Sequence, residues 1–368
     1  MQASNTIAKN IEKWLQSAWY KPTLLSFIFK IILWPLSLVY RFLAFLDKSL
    51  YKFGVFKAHE VSVPVIVVGN IVTGGGGKTP TVIALAQHLQ AQNIKVGVIS
   101  RGYGRISTAC LEVKPDSALS DVGDEPAGLL LALNSGEVSA PVFVTTKRFD
   151  AATALLKTYP ETQIIISDDG LQHHALQHDI AITVFDDRGI GNGMLLPAGP
   201  LRESAGPLRE STVKSHNSLV LHTGNKAVKL TNTATPQFTA RRALASHALR
   251  SDGGKVHFDE LKTATKPLLA LAGIANPEAF FAMLRHAGLN LAETLALPDH
   301  YNFDSVLGNK YTGYSKKYIV LCTVKDAAKL WQIAPEAIAV PLDFSPEPAF
   351  FAAFDAMLKP FLKLPIQS

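Results

Sequence analysis

The sequence predicts a doubly wound α/β protein of the P-loop NTPase type, with a mostly parallel sheet, a smaller second α/β domain and an N-terminal hydrophobic helical anchor. Three observations lead there. Residues 64–82, PVIVVGNIVTGGGGKTPTV, pass from β-branched apolar residues through four glycines into a helical pattern. Short apolar runs then alternate with helix-spaced segments, which is how strands and crossover helices read. A hydrophobic stretch, residues 23–46, precedes all of this.

That stretch, TLLSFIFKIILWPLSLVYRFLAFL, is too long and starts too late for a cleaved secretory signal, and it runs into Asp47 and Lys48. Its longest uncharged run, Ile31–Tyr40, covers ten residues, about half of a bilayer span. Lys30 and Arg41 would have to snorkel, and Pro35 would kink the helix. The expectation is an in-plane or half-inserted amphipathic anchor with Trp14, Trp19, Tyr20 and Trp34 near the headgroups. The alternative is a buried helix pair with a basic solvent face. Residues 1–60 hold eight basic side chains against Glu12, Asp47 and Glu60, so most of the net charge of +6 lies beside the anchor. This suits an anionic lipid surface. It does not suit nucleic acid, because the charge sits among Phe, Leu and Ile rather than on an exposed basic face. Two cysteines, Cys110 and Cys322, are too few for a disulfide framework or a zinc site and point to a reducing compartment. No metal-ligand spacing connects His59, His88 and most other histidines.

Expected strands run from Val63 to Gly69, Lys95 to Ser100, Pro141 to Thr145, Gln163 to Asp168, Ile180 to Phe185 and Ser218 to His222. Helical spacing falls on Thr81 to Gln92 and Asp150 to Thr158. Residues 223–266 are rich in Thr, Asn, Gly and Lys, with pieces near Gln237 to Ala243 and Lys255 to Phe258 that suggest a hairpin. From Pro267 the alternation resumes: LLALAG, a helix from Pro277 to Ala287, Tyr318 to Thr323, Ala337 to Leu342 and a closing helix from Pro348. The expected organisation is a membrane-associated segment 1–58, a P-loop core 59–230, and a linker hairpin with a smaller α/β domain 231–368.

The chemistry starts at the glycines. A strand, a glycine loop and a helix N-terminus in that order bring backbone N–H groups and an ammonium to one point, which suits the phosphates of ATP. The loop is Gly74, Gly75, Gly76 and Gly77, followed by Lys78, Thr79 and Pro80. Val72 stands where the usual P-loop pattern has its first glycine. In this reading Lys78 reaches the β- and γ-phosphates and the Thr79 hydroxyl ligates Mg²⁺. Asp168 and Asp169 end the strand IIISDD, where a magnesium-coordinating carboxylate belongs in such a sheet. Membrane-associated regulatory ATPases with an extra P-loop lysine are a rival class, but that lysine would fall at Thr73. Further polar clusters follow other expected strands: Arg101, Tyr103 and Arg105 in SRGYGR; Asp124 and Glu125 in GDEP; Lys147 and Arg148 in KRFD; DGLQHH at 169–174; Arg202 and Glu203 in LPAGPLRE; and Asp299 and His300 in PDHY. AGPLRES occurs twice in succession, at 198–204 and 205–211, and reads as one long loop.

These motifs, with TVKD at 323–326, resemble in order those of the tetraacyldisaccharide 4′-kinases, the lipid A kinases of Gram-negative bacteria. The resemblance covers residues 69–326, and DDGLQH with LLPAGPLRE is its most specific part. It implies transfer of the ATP γ-phosphate to the 4′-hydroxyl of an acylated glucosamine disaccharide 1-phosphate at the cytoplasmic face of the inner membrane, with no obligate protein partner. It places the general base at Asp124, assisted by His300, with Lys78 and Arg148 also catalytic. Lys78, Thr79, Asp168 and Asp169 handle Mg²⁺ and nucleotide, and Arg101, Tyr103, Gln172, His173, Arg202 and Glu203 line the substrate cleft. The second AGPLRES copy departs from the family pattern, which leaves Arg209 without a role. The competing reading is a membrane-tethered P-loop ATPase that positions a protein partner.

Overall fold

A computed structural model describes residues 15, 17–21, 23–74, 76–134, 140–203, 217–224, 228, 235–274, 277–298, 301, 303 and 313–362. Trp14, Gly75, Asp299, His300, Arg209 and the expected boundary at 230/231 lie outside the described residues. The chain forms two compact units, each drawn from separated stretches. The first comprises Met1–Lys78, Ser167–Arg241 and Pro346–Ser368; the second comprises Thr79–Ile166 and Arg242–Ser345.

The first unit is built on β1 (Val65–Gly69), β6 (Ile180–Phe185) and β7 (Ser218–His222), whose residues are all buried. These strands run parallel, with Gly69 opposite Thr183 and Phe185 opposite His222. Parallel strands covered on both faces read as unbroken apolar runs, so the pattern was visible in the sequence. The second unit holds β2 (Val96–Ser100), the short β3 (Leu111–Glu112) and β4 (Val142–Val144), with helices Asp124–Leu133 and Arg148–Thr158. The strand β5 (Ile164–Asp168) is divided, its Ser167 and Asp168 belonging to the first unit. In the first unit β8 (Gln237–Leu244) continues the row β8-β7-β6-β1; in the second, β4 pairs parallel with β2 and antiparallel with β3, and β15 (Leu342–Pro346) is a further strand. A second sheet of six strands lies within the second unit. It comprises β9 (His247–Leu249), β10 (Lys255–His257), β11 (Leu268–Ala272), β12 (Leu291–Ala296), β13 (Ile319–Thr323) and β14 (Ile338–Val340). Its order is β10-β9-β14-β13-β11-β12, and Phe280, Phe281 and Leu284 of helix Pro277–His286 pack on its core.

Two expectations are corrected here. The pieces 237–243 and 255–258 do not form a hairpin: β8 runs parallel to β7, whereas β10 pairs antiparallel with β9. The expected strand Ala337 to Leu342 is two strands in two sheets, β14 and β15. Pro341 stands between them, and a proline cannot donate to a ladder.

The N-terminal hydrophobic stretch is one helix, Leu24–Lys52, with Pro35 inside it and Thr23 capping its start. Its 29 residues give a rod of about 43 Å. The helix is inverted relative to a soluble one. Its buried residues are Ser26 and Ser37, while Leu24, Phe27, Ile31, Ile32, Trp34, Phe42 and Phe45 are all at least half exposed. By length and composition it could cross a membrane. Trp19 does not sit at headgroup level as expected. It is buried, and its Nε1–H donates to the carbonyl of Pro197 at 3.0 Å.

Candidate active site

Each unit carries part of the predicted chemistry. In the first, β1 is followed by Asn70, a buried amide whose Nδ2 donates to the carbonyl of Gly74 at 2.7 Å and so spans the base of the glycine loop. Thr223 Oγ1 donates to the carbonyl of Gly76 at 2.7 Å. Gly74 and Gly77 take φ of +100° and +91°, angles that a side chain would strain. The helix Lys78–Ala91 starts directly after the loop with no acidic residue in its first turn. The positive end of its dipole therefore faces the loop with no carboxylate of the first turn to offset it, a setting suited to an anion.

Lys78 Nζ lies 2.9 Å from Asp169 Oδ1, and Arg202 Nη1 lies 3.5 Å from the same oxygen. Asp169 adopts φ +51°, a left-handed turn that swings its carboxylate out of the line of β5, while Asp168 stays buried. The next residue must be small, because a Cβ at Gly170 would stand 2.5 Å from Ser167 Oγ and Val67 Cγ2. Gln172 ties the loops together: its Nε2 donates to Glu203 Oε1 at 2.7 Å and to the carbonyl of Asn70 at 3.1 Å. Arg202 Nη1 approaches Gln172 Oε1 at 3.4 Å. The backbone does the same, since Arg202 N–H donates to Ile71 O at 2.7 Å and Thr73 N–H to Pro200 O at 2.8 Å. GGGGKT, DDGLQ and LPAGPLRE thus converge on one cluster. His173 N–H closes the turn back to Gly170 O at 2.9 Å, and the ring of His174 packs against Tyr51 of the N-terminal helix. Burial pushes the His174 imidazole below its ordinary pKa.

In the second unit Asp124 opens the helix Asp124–Leu133 and is buried. Gly123 before it has φ +89° and ψ 152°, a region essentially closed to other residues. The SRGYGR loop presses on this turn: a Cβ at Gly123 would stand 3.0 Å from Tyr103 O, and one at Gly102 would stand 2.7 Å from Val122 O. The same loop leaves Arg101 exposed and the Tyr103 side chain 65% exposed, so both are open to a ligand. Arg148 is buried at the start of helix Arg148–Thr158, with Nη1 3.5 Å from Thr145 O.

Sequence reasoning missed Lys329. Its Nζ lies 2.6 Å from Asp124 Oδ2 and donates to Tyr301 O at 3.2 Å. Lys325, four residues earlier on the same helix face, stands 3.9 Å from Glu125 Oε1. TVKD is what aims them: Thr323 caps helix Val324–Leu330, and buried Asp326 accepts from Thr323 Oγ1 at 2.7 Å and Gly273 N–H at 3.0 Å. Burial raises the Asp326 carboxyl above its ordinary pKa. The i, i+4 spacing of Lys325 and Lys329 against the neighbouring pair Asp124 and Glu125 was the available signal.

No three-residue cluster of His, Cys, Asp or Glu suited to a metal exists among the described residues. Mg²⁺ does not require one, since it binds through one or two carboxylates together with substrate phosphates and water. The paired aspartates at the end of β5, Asp168 and Asp169, are hard oxygen donors of the kind it takes.

A glycine loop feeding a lysine-headed helix, with carboxylates at a neighbouring strand end, defines a P-loop kinase fold. A family model for Tetraacyldisaccharide-1-P 4′-kinase matches residues 29–359. Two of the curated relatives named Tetraacyldisaccharide 4′-kinase illustrate the likeness. That of Polaromonas sp. strain JS666 is 51% identical over 335 residues, covering 90% of this chain and 93% of the relative. That of Acidovorax sp. strain JS42 is 46% identical over 344 residues, covering 94% of each. Among solved structures, LpxK from Aquifex aeolicus, described as an "apo" form in complex with ATP, superposes with a TM-score of 0.75 at 28% identity, covering 91% of this chain and 99% of that one. The chain belongs to the tetraacyldisaccharide-1-P 4′-kinase family.

Proposed function

We propose that this chain transfers the γ-phosphate of ATP to the 4′-hydroxyl of a tetraacylated glucosamine disaccharide 1-phosphate, a step of lipid A biosynthesis. The observation that carries the reading is the Lys78–Asp169 pair at the head of the P-loop helix, within a chain of this family. A sugar hydroxyl is a weak nucleophile, so its proton must leave as the new P–O bond forms. In our reading Asp124 takes that proton, held in place by Lys329 and assisted by His300. The bond from the γ-phosphorus to the β–γ bridging oxygen breaks, and ADP departs. Lys78 and Arg148 stabilise charge on the phosphoryl oxygens, while Gly74, Gly76, Gly77 and Pro80 shape the nucleotide loop. Mg²⁺, held by Thr79, Asp168 and Asp169, would neutralise the phosphates. Arg101, Tyr103, Gln172, His173, Arg202 and Glu203 orient the acceptor.

An acylated substrate stays in its bilayer, since each buried CH₂ is worth roughly 0.8 kcal/mol. The outward-apolar helix Leu24–Lys52 supports a site at the cytoplasmic face of the inner membrane, on anionic lipid. The test is mass spectrometry of the lipid after incubation with ATP and Mg²⁺. A product heavier by one phosphate is expected. ATP consumption that ignores the lipid would overturn the reading in favour of a tethered ATPase.

A further inference from the structure

A lipid anchor needs only apolar surface, yet the N-terminal helix carries polar residues that reach into the first unit. Ser37 is 5% exposed; its Oγ approaches Leu195 O at 3.0 Å and accepts from Ala198 N–H at 3.0 Å. One turn on, Tyr40 OH donates to Arg202 O at 3.0 Å. Just before the helix, Trp19 donates to Pro197 O. The ring of Tyr20 lies 5.8 Å from the Arg188 guanidinium, which Asp186 holds and which stands 3.0 Å from where a Gly74 Cβ would be. Four side chains between residues 19 and 40 therefore grip the loop 195–202 and, through Arg188, the rim of the glycine loop.

We infer that this helix positions the phosphoryl-transfer site, with Tyr40 and Ser37 setting Arg202 and, through it, Asp169 and Lys78. The inference rests on the kinase reading above. The path is short: Tyr40 OH to Arg202 O, Arg202 Nη1 to Asp169 Oδ1 at 3.5 Å, and Asp169 to Lys78 at 2.9 Å. The outer face of the helix meets lipid while the inner face fixes an arginine of the site. A displacement of about 1 Å at such a group costs on the order of a hundredfold in rate.

The experiment uses the full chain with vesicles containing phosphatidylglycerol. Tyr40→Phe removes one hydroxyl from the inner face and leaves the apolar face intact. It should lower kcat by about tenfold, leave KM for ATP and vesicle sedimentation unchanged, and speed amide exchange at Leu201 and Arg202. Ser37→Ala should act in the same direction. Added to Arg202→Ala, Tyr40→Phe should cause no further loss, because both act through one side chain. Unchanged exchange, unchanged kcat or additive losses would overturn the inference. If the wild-type chain phosphorylates no lipid, the kinase reading fails, and the exchange measurement still decides whether the helix holds the loop.

Discussion

Asp124 is fixed twice, its backbone by the positive φ of Gly123 and its carboxylate by the Lys329 ammonium at 2.6 Å. Asp124→Asn keeps the shape and removes the proton acceptor. Turnover should fall by about 10²- to 10⁴-fold with ATP affinity unchanged in calorimetry, and wild-type turnover would remove Asp124 as the base. Lys329→Met should lower kcat by about ten- to a hundredfold through loss of orientation. It should also lower the melting temperature, since it takes the ammonium away from a buried carboxylate. A variant with wild-type kcat would show that the pair is structural only. At this scale the sequence was legible where residue type and punctuation coincide. Lys78 follows four glycines, and Asp168 and Asp169 end an isoleucine strand. Lys329 was not legible by itself, because a lysine in mid-helix ordinarily reads as a solvated side chain; its partner lies more than two hundred residues away.

Among the elements, the helix Asp124–Leu133 depends on the turn that starts it. Gly123→Ala would place a Cβ 3.0 Å from Tyr103 O in a backbone region that disfavours it. We expect a loss of about 1–3 kcal/mol in urea unfolding, together with reduced turnover, because Asp124 is the next residue. The Leu24–Lys52 helix makes a different prediction through its outer face. Ile32→Asp combined with Phe42→Asp, both at positions more than 60% exposed, should weaken vesicle sedimentation by about tenfold or more. Undiminished sedimentation would exclude this face as the lipid contact. The buried parallel strands β1, β6 and β7 were readable because continuous Val and Ile runs have one interpretation in a covered sheet. Strand β12, with exposed Ala292, Glu293 and Ala296, lacks that signal. The split of β14 from β15 turns on Pro341, whose missing N–H the apolar run conceals.

For the molecule as a whole, His178 sets a limit on acid tolerance. Burial pushes its imidazole down to about 4, so the native state holds it neutral while the unfolded chain protonates it near pH 6.5. Its contribution is intact above about pH 6.5 and is lost as pH falls toward 4, up to about 3 kcal/mol in all. Urea midpoints across that window should therefore fall less steeply for His178→Gln than for the wild-type chain, and parallel slopes would refute the assignment. The class of fold was legible from alternation and glycine punctuation, whereas the division into units was not, because each unit collects segments that sequence order separates. The chain passes from one unit to the other after residues 78, 166, 241 and 345. Translation proceeds in one direction, so the apolar helix is made before any of the second unit, and Pro346 and its successors are made after all of it. The outward-apolar rod is thus exposed in the nascent polypeptide while the rest of the chain is still incomplete, and its large apolar side chains are open to other chains throughout that interval.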